Sequence, residues 1–344
     1  MLKTTESFAE TTKLATQNDC LSDVLRSMRI SGSLLFREEY AAPWAVTIPN
    51  AERLGDLLQI SPGARAVAFH LVERGHLEIE LDDGSEAVVE AGEMAICFAG
   101  AGHQISQGAN PRVVPVEEFL TGDGNPFRPT EKDRGRSTSL MCGMFFLHDT
   151  HLNPLFAALP PLLHASVSRS RRFHNLSGVA DLMAQEMNRQ SFGSGYVIER
   201  LLELLCAEAV RSHIAAIHHQ DVGWLRGLRD PTVGRAIALI HARPGDLWSV
   251  GRLAGGVAMS PSRFAARFAA ALGESPMAYV AKWRMNVAGR LLDRTQQGIG
   301  DIAADVGYES LAAFNRAFKR HVGVPPAAWR TRERLLSQPG LDAI

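Results

Sequence analysis

The chain has 344 residues, of which 46% are hydrophobic, 21% charged and 7% aromatic, with a formal net charge of −1. That composition excludes collagen-like, fibrous and disordered classes, and the length suggests two domains of about 150 residues each. No apolar run approaches the ~18–20 residues that span a bilayer, and the start is polar, so the sequence predicts a cytoplasmic protein without membrane contact.

Residues 1–20 read as a polar tail and residues 21–170 as a small β domain. Trp44 to Ile48, Ala66 to Val72, Leu77 to Leu81, Ala87 to Val89 and Met94 to Phe98 are short apolar runs that predict strands. Asp83-Gly84 is a hairpin signal, and Gly75, Gly92 and Gly100 to Gly102 are further breaks. Many short strands at near-regular spacing predict a barrel or sandwich. Residues 121–139 are polar, charged and Pro/Gly-containing, which predicts an exposed insertion loop; Glu117-Glu118 and the 131–136 charge cluster are expected to be solvated loop too. Strands resume at Leu140 to Leu147.

The period changes after His151. Asn153 to His164, Ser177 to Gln190 and Tyr196 to His218 carry apolar residues at helical spacing. In the last of these, Ile198, Leu201, Leu202, Leu205, Ala209 and Ile217 form a stripe. Residues 171–219 are therefore expected either to pack on their own barrel or to join a second chain as a homodimer. Residues 220–230 read as a linker, and Asp230-Pro231 opens the next helix because proline fits a first turn.

The charge also shifts here. Residues 221–344 hold 17 Lys+Arg and 10 Asp+Glu, a balance of +7, while the remaining 19 and 27 leave −8 on residues 1–220. Near neutrality is a cancellation, and a basic third on an acidic front suggests a polyanion-binding module joined to a module with another role.

The basic third, residues 231–334 with a short tail at 335–344, contains an internal repeat. Leu253-Ala254 is followed by Ser260, Phe264, Phe268, Gly273, Pro276 and Tyr279; Ile302-Ala303 is followed by Ser310, Phe314, Phe318, Gly323, Pro326 and Trp329. From the first Phe onward the steps of 4, 5, 3 and 3 residues are identical in both copies. Each copy predicts a helix-turn-helix. A short helix ends at a turn (Ala258-Met259 or Gly307-Tyr308), Ser260 or Ser310 caps the second helix, the paired Phe residues bury against the first, and Gly273 or Gly323 stops the second. Pro276 to Arg294 is a periodic helix of 19 residues between them, with Trp283, Arg284, Ala288 and Leu292 placed to set the angle between the two units.

Residues 230–332 resemble the DNA-binding domain of AraC/XylS-type transcription regulators, through Ile302-Ala303, Val306-Gly307-Tyr308, Phe314, Arg316, Phe318-Lys319, Gly323, Pro326 and Arg330. Residues 21–170 resemble the cupin-type sensor of one branch of that family, through Ser31-Gly32, Pro43-Trp44, Phe69-His70-Leu71, Gly75, Ala91-Gly92, His103, Cys142-Gly143 and Asn153-Pro154-Leu155. The resemblance implies an N-terminal cupin-like barrel with dimerisation helices and a C-terminal all-α domain, α+β in class. Its implied partners are double-stranded promoter DNA, a small effector, RNA polymerase and a second copy of the chain, and its usual outcome is activation.

On a helical wheel with Phe264 inward, Ser262, Ala265, Ala266 and Ala269 point outward and Arg263 and Arg267 flank the buried seam. The first recognition helix is nearly bare where bases would be met, so Arg263 and Arg267 are expected on phosphates. Around Phe314 the outward set is Ala312, Asn315, Arg316 and Lys319, with Arg320 beside it. Asn315 suits adenine and Arg316 suits guanine, which gives the second unit the better equipment for direct readout. The family implies phosphate contact at the helix starts, Ser260 and Ser310.

In the front domain a metal-dependent cupin would need a cage of several His and a Glu. The HxH pair is absent, since Val72 stands two residues after His70. His70, Val72, His103 and Cys142 are the expected effector-pocket residues, and His70, His103 and Cys142 are an N/S set that zinc accepts. Cys20, Cys97 and Cys206 show no partner and no CxxC spacing. The sequence thus predicts a DNA-binding regulator rather than an enzyme. The alternatives are a cupin enzyme with an incidental basic tail, a redox- or metal-responsive regulator using Cys142, and an architectural DNA binder.

Overall fold

The computed structural model describes residues 20–27, 30–60, 65–121, 124–133, 135, 137–147, 153–166, 175–189, 191–216 and 223–336. The tail predicted at 1–20 lies outside them except for Cys20, and the 335–344 tail except for its first two residues. In chain order the elements begin with α1 (Cys20–Ser27), β1 (Ile30–Ala41), β2 (Trp44–Ile48), α2 (Ala51–Leu57), β3 (Arg65–Arg74), β4 (His76–Leu81), β5 (Glu86–Glu90) and β6 (Glu93–Cys97). They continue with β7 (His103–Gln107), β8 (Arg112–Pro115), α3 (Val116–Thr121), β9 (Ser137–Leu147), α4 (Pro154–Ala158), β10 (Leu162–Ser166), α5 (Asn175–Arg189) and α6 (Ser194–Ala216). The rest is helical: α7 (Trp224–Arg229), α8 (Pro231–Ala242), α9 (Val250–Gly256), α10 (Pro261–Leu272), α11 (Pro276–Arg294), α12 (Ile299–Asp305), α13 (Leu311–Val322) and α14 (Pro326–Leu336).

Packing divides the chain into a barrel unit, Arg29–Thr150 with Leu159–His218, and a helical unit, Met1–Met28 with His151–Ala158 and His219–Ile344. The barrel unit has two five-stranded sheets, β1-β9-β3-β6-β10 and β5-β4-β7-β2-β8. β4 shows why they close on each other: Leu77, Ile79 and Leu81 point into the core and Glu78 and Glu80 into solvent, the period-2 alternation of a half-buried strand. β3 is instead buried on both faces. Ala66, Ala68 and Val72 belong to the core between the sheets, while Phe69, on the opposite face, stacks on Phe145 at 4.6 Å. α6 lies across β1, β9 and β10. Gly32 is where α6 comes closest, because a Cβ there would meet Leu202 at 3.0 Å, and Gly143 leaves room within the sheet for the Ser33 carbonyl oxygen and the Phe69 ring, which a Cβ would meet at 2.5 and 2.8 Å.

Several elements depart from the sequence reading. The helix expected over Asn153 to His164 is split into α4 and β10, because β10 completes the ladder of β6 (Leu163 opposite Ile96) and buries Leu163 and Ala165 there. Edge pairing outweighs a leucine spacing that alone favours helix. Glu117 and Glu118 lie in α3 rather than loop. The loop expected over 121–139 is shorter, because Thr121 ends α3 and Ser137 to Ser139 open β9 with Ser137 and Thr138 buried; its middle is strapped to the barrel, the Ala41 N–H donating to the Phe127 carbonyl at 2.8 Å and the Asn125 side chain to the Glu39 carbonyl at 2.7 Å. β1, β7, β8 and β10 were hidden because their residues are mixed in polarity.

In the helical unit the expected linker is folded. α7 buries Trp224 and Leu225, and the Trp224 indole donates to the Tyr279 hydroxyl at 2.8 Å. Asp230 then caps α8 by accepting from the Thr232 and Val233 amides, with Pro231 in the first turn. Both repeats form two helices around a tight turn, α9–α10 and α12–α13, with α11 between them over the 19 residues expected. The turns hold Ala258 at φ 55° and Gly307 at φ 82°. α10 and α13 end at left-handed Gly273 and Gly323. Ser310 caps α13 through the Ala313 amide. Ser260, by contrast, makes no side-chain cap bond, and Pro261 in the first turn sets the entry to α10 instead. α1 and α4, which the sequence order assigned to the front, pack in this unit: the Asn153 side chain donates to the Val24 carbonyl at 3.2 Å.

Candidate nucleic-acid interface and barrel centre

The inward and outward faces of the second helix in each repeat follow from the phenylalanine spacing. Phe264 and Phe268 are fully buried with ring centroids 5.6 Å apart, and Phe314 and Phe318 match them at 5.7 Å. Ser260, Ser262, Arg263, Ala266, Arg267 and Ala269 on or before α10 are exposed, with Ala265 half-buried; Ser310, Ala312, Asn315, Arg316, Lys319 and Arg320 are exposed in the second copy. The two arginines of the first unit are not equivalent. Arg267 is engaged by Asp230, with Nε–Oδ2 and Nη2–Oδ2 distances of 2.9 Å, so the α8 cap holds its guanidinium. Arg263 has no such carboxylate partner among the described residues.

The two repeats are joined by one side chain on α11. Arg284 donates from Nε to the Pro244 carbonyl at 2.8 Å, from Nη2 to the Asp246 carbonyl at 2.8 Å and from Nη1 to the Gly307 carbonyl at 3.2 Å. Pro244 and Asp246 precede the first repeat's α9, and Gly307 is the turn of the second. The approach is close enough that a side chain at Gly245 would collide with the Asp305 carbonyl, and one at Gly307 with the Arg284 guanidinium. Trp283, Ala288 and Leu292 on the same helix are buried.

At the barrel centre, β3 and β9 place His70 opposite Cys142, with His70 Nδ1 3.1 Å from Cys142 Sγ. β7, from the other sheet, brings His103 Nε2 to 2.8 Å from His70 Nε2. Cys97 ends β6, two residues after Ala95, the β6 partner of His70, and so lies on the same face. His70, Cys97 and His103 form a buried group whose ligand atoms all lie within 4.8 Å of one another. The structure brings His70, His103 and Cys142 near one another, but the ligand group holds Cys97 in place of Cys142, and its signal is a register between strands that sequence spacing does not carry. Val72 lies two residues on in the same strand, fully buried. The His/His/Glu/His cage of metal-dependent cupins does not fit: among the described residues no Asp or Glu joins the group. Burial holds both imidazoles neutral, His70 well below its ordinary range, with the His103 charge adding to the effect, and His103 down to about 4. Burial also pushes the Cys142 thiol up to about 12, the reverse of a reactive thiolate.

Residues 19–215 match the family model described as cupin, and residues 253–332 the model described as helix-turn-helix domain. The chain is 27% identical over 312 residues to a putative AraC-like transcription regulator of Streptomyces lividans, spanning 91% of this chain and 98% of that one. It is 31% identical over 274 residues to the HTH-type transcriptional regulator AlkR of Acinetobacter baylyi, spanning 77% and 88%. The chain belongs to the AraC family of transcription regulators. The regulator is also 28% identical over 255 residues, 72% of its length and 88% of the other's, to the RCS-specific HTH-type transcriptional activator RclR of Escherichia coli. Its relatives are named as regulators and not as enzymes, and it is a DNA-binding protein of two domains, cupin-like and helix-turn-helix. No helix among its described residues is long and apolar enough to cross a membrane.

A buried histidine is expected to make the regulator's helical unit acid-sensitive. His241 Nε2 lies 2.8 Å from the Tyr279 hydroxyl, and its ring stacks on Trp283 at 3.6 Å. Burial, with the Arg290 charge adding to it, brings its pKa from 6.5 down to about 3. The unfolded chain takes up this proton first, so the stability His241 contributes is complete above about pH 6.5 and is lost as the pH falls toward 3, at up to about 1.4 kcal/mol per pH unit. Thermal melting between about pH 7 and 4 is expected to show the loss, and His241→Phe, which binds no proton, is expected to flatten it. An unchanged slope in that variant would remove His241 as the cause.

The barrel carries an open cleft of about 630 Å³ at one end, lined by Arg53, Glu80, Asp82, His103, Gln104 and Glu117 among others. Arg53 and Glu117 pair across it at 3.2 Å. Of the four residues expected to line an effector pocket, His103 alone is on its wall; His70, Val72 and Cys142 lie in the filled core behind.

Proposed function

We propose that the regulator reads two successive major-groove segments of promoter DNA with α10 and α13, under the control of a small effector bound by the barrel unit. The observation that supports this most is the Arg284 junction, which bonds together two helix-turn-helix units whose second helices both present exposed faces, small on α10 and polar on α13. α11 has 19 residues and is about 28 Å long at ~1.5 Å per residue, close to the ~34 Å of one DNA turn. Arg263 and the helix starts at Ser260 and Ser310 take phosphates; Asn315, Arg316 and Lys319 take bases; Arg320 flanks them. Arg267 acts through Asp230 as a brace for α10 and contributes less to DNA than its position on the wheel suggested. The polar cleft beside His103 is where a small hydrogen-bonding effector fits. Activation is supported by the relative named as an activator, and contact with RNA polymerase is what that outcome calls for.

The stripe expected on α6 faces its own unit, with Ile198 and Leu201 half-buried and Ile217 outside the described residues, and we infer that a second face of the helix meets another copy. Leu202, Leu205 and Ala209 are fully buried within the chain, whereas Tyr196, Val197 and Leu204 remain exposed, with Leu201 half-buried between them. This second, narrower face takes the equivalent face of another copy. Footprinting on the DNA upstream of the regulator's own and neighbouring genes is expected to show protection in pairs of adjacent half-sites. Leu204→Arg, which leaves the buried side of α6 untouched, is expected to give a monomer by sedimentation and to halve the footprint. A dimer with an unchanged footprint in that variant would place the second copy elsewhere.

A further inference from the structure

We propose that the barrel unit is a zinc protein, with the ion held by His70 Nε2, His103 Nε2 and Cys97 Sγ. The three ligands come from β3, β7 and β6, so the ion ties the two sheets together at the barrel centre. Their donor atoms already lie within 4.8 Å of one another. In a tetrahedral zinc site, with Zn–N about 2.0–2.1 Å and Zn–S about 2.3 Å, donor atoms are about 3.3–3.6 Å apart. The His70–His103 separation of 2.8 Å must open by about 0.5 Å, a small rotation of two rings that without the ion share one N–H···N bond.

The chemistry of the donors selects the metal. Two imidazoles and a thiol with no carboxylate suit zinc and exclude magnesium and calcium, which take oxygen. One hydrogen lies between the two Nε2 atoms, so one imidazole shifts it to its own Nδ1, a tautomer change with no net loss of a proton, before both nitrogens coordinate. Cys97 is the ligand that must ionise: the zinc–sulfur bond forms, the S–H bond breaks and the proton leaves to solvent. Cys142 has a different part. Its sulfur meets Nδ1 of His70, the nitrogen that faces away from the ion, and fixes the tautomer that leaves Nε2 free to coordinate. His103 also forms part of the cleft wall, which places the site next to the cleft. None of this depends on the DNA reading.

The test uses the full-length reduced protein, stripped by a chelator and titrated with cobalt(II), then zinc. One cobalt per chain is expected, with tetrahedral d–d bands and a thiolate-to-cobalt charge-transfer band in the near ultraviolet, both erased by zinc. Cys97→Ser is expected to lose the charge-transfer band and His103→Gln to lose stoichiometric binding. Cys142→Ser is expected to keep the band and bind about 10-fold more weakly, as loss of a ligand's hydrogen-bond partner does. Cys20→Ser and Cys206→Ser serve as controls that keep it, and far-UV circular dichroism checks folding. Should Cys97→Ser fail to fold, zinc X-ray absorption of the wild type decides, with one sulfur and two imidazoles expected around the ion. Absence of a thiolate band or of a sulfur ligand in the wild type overturns the site, and so does a band that survives Cys97→Ser or vanishes in Cys142→Ser. The readout is metal and not DNA, so failure here leaves the DNA-binding reading where it stood.

Discussion

Replacing Arg284 by lysine is expected to uncouple the two helix-turn-helix units and to cost about 3 kcal/mol of helical-unit stability. The guanidinium serves three carbonyls in different directions, Pro244, Asp246 and Gly307, at 2.8 to 3.2 Å, and lies over the Tyr308 ring at 5.7 Å. A hydrogen bond to a charged donor contributes about 1.5–3 kcal/mol; because the side chain is half-buried and the three bonds share one group, the total is less than their sum. An ammonium keeps the charge but reaches one carbonyl well, so lysine separates geometry from charge. Non-specific DNA affinity and its salt dependence, which count positive charges, are expected to be unchanged. Specific affinity is expected to fall about 10- to 100-fold, with the second half of each footprint weakened first. A lysine variant that protects both segments with wild-type affinity would show that the α11 core, Trp283, Ala288 and Leu292, sets the angle unaided.

Where a local rule had no competitor, the sequence was enough. The two repeats were legible because nearly every position in them answers to its own physical demand, the exception being Ser260, whose capping role Pro261 takes over. Gly273 and Gly323 must adopt positive φ, Phe264 and Phe314 must bury, and Pro276 opens a helix whose 19 residues are found as expected. β4 was legible because its alternation is clean. β1 was not, since its 12 residues are mostly half-buried and their pattern resembles loop. The Asn153 to His164 segment shows the more instructive failure. Its leucines fit a helix, and the competing partner, the free edge of β6, lies more than 60 residues away in the chain.

The site divides along the same line. The outward residues of α10 and α13 follow from a wheel and, apart from half-buried Ala265, are found exposed, because a helix face is a local property. Three facts required tertiary structure: Arg267 is claimed by Asp230, Trp224 turns an apparent linker into a helix anchored on Tyr279, and Cys97 joins His70 and His103. Each depends on a register or a packing angle. A cysteine in an apolar strand looks like a small hydrophobe until the strand beside it is known.

Arg316→Ala is expected to erase the preference for guanine at one position of the recognition site while leaving the rest of the sequence preference intact. Arg316 is exposed in the middle of α13, two residues after buried Phe314, and is not among the side chains that brace the helix. A bidentate arginine–guanine contact is worth about 1–3 kcal/mol of discrimination, so the ratio between the best and next base at that position is expected to fall about 5- to 150-fold. Asn315→Ala is expected to act likewise on a neighbouring adenine. Arg263→Ala makes the contrast: with a phosphate as its partner it is expected to weaken all sequences alike and to lower the salt slope by about one. Binding to a library randomised over the second half-site, at two salt concentrations, separates these outcomes. If Arg316→Ala lowered every affinity evenly, Arg316 would be a phosphate contact and direct readout by α13 would rest on Asn315 and Lys319. Flattening confined to one base pair, with the salt slope unchanged, is the signature of a side chain that reads an edge rather than a charge.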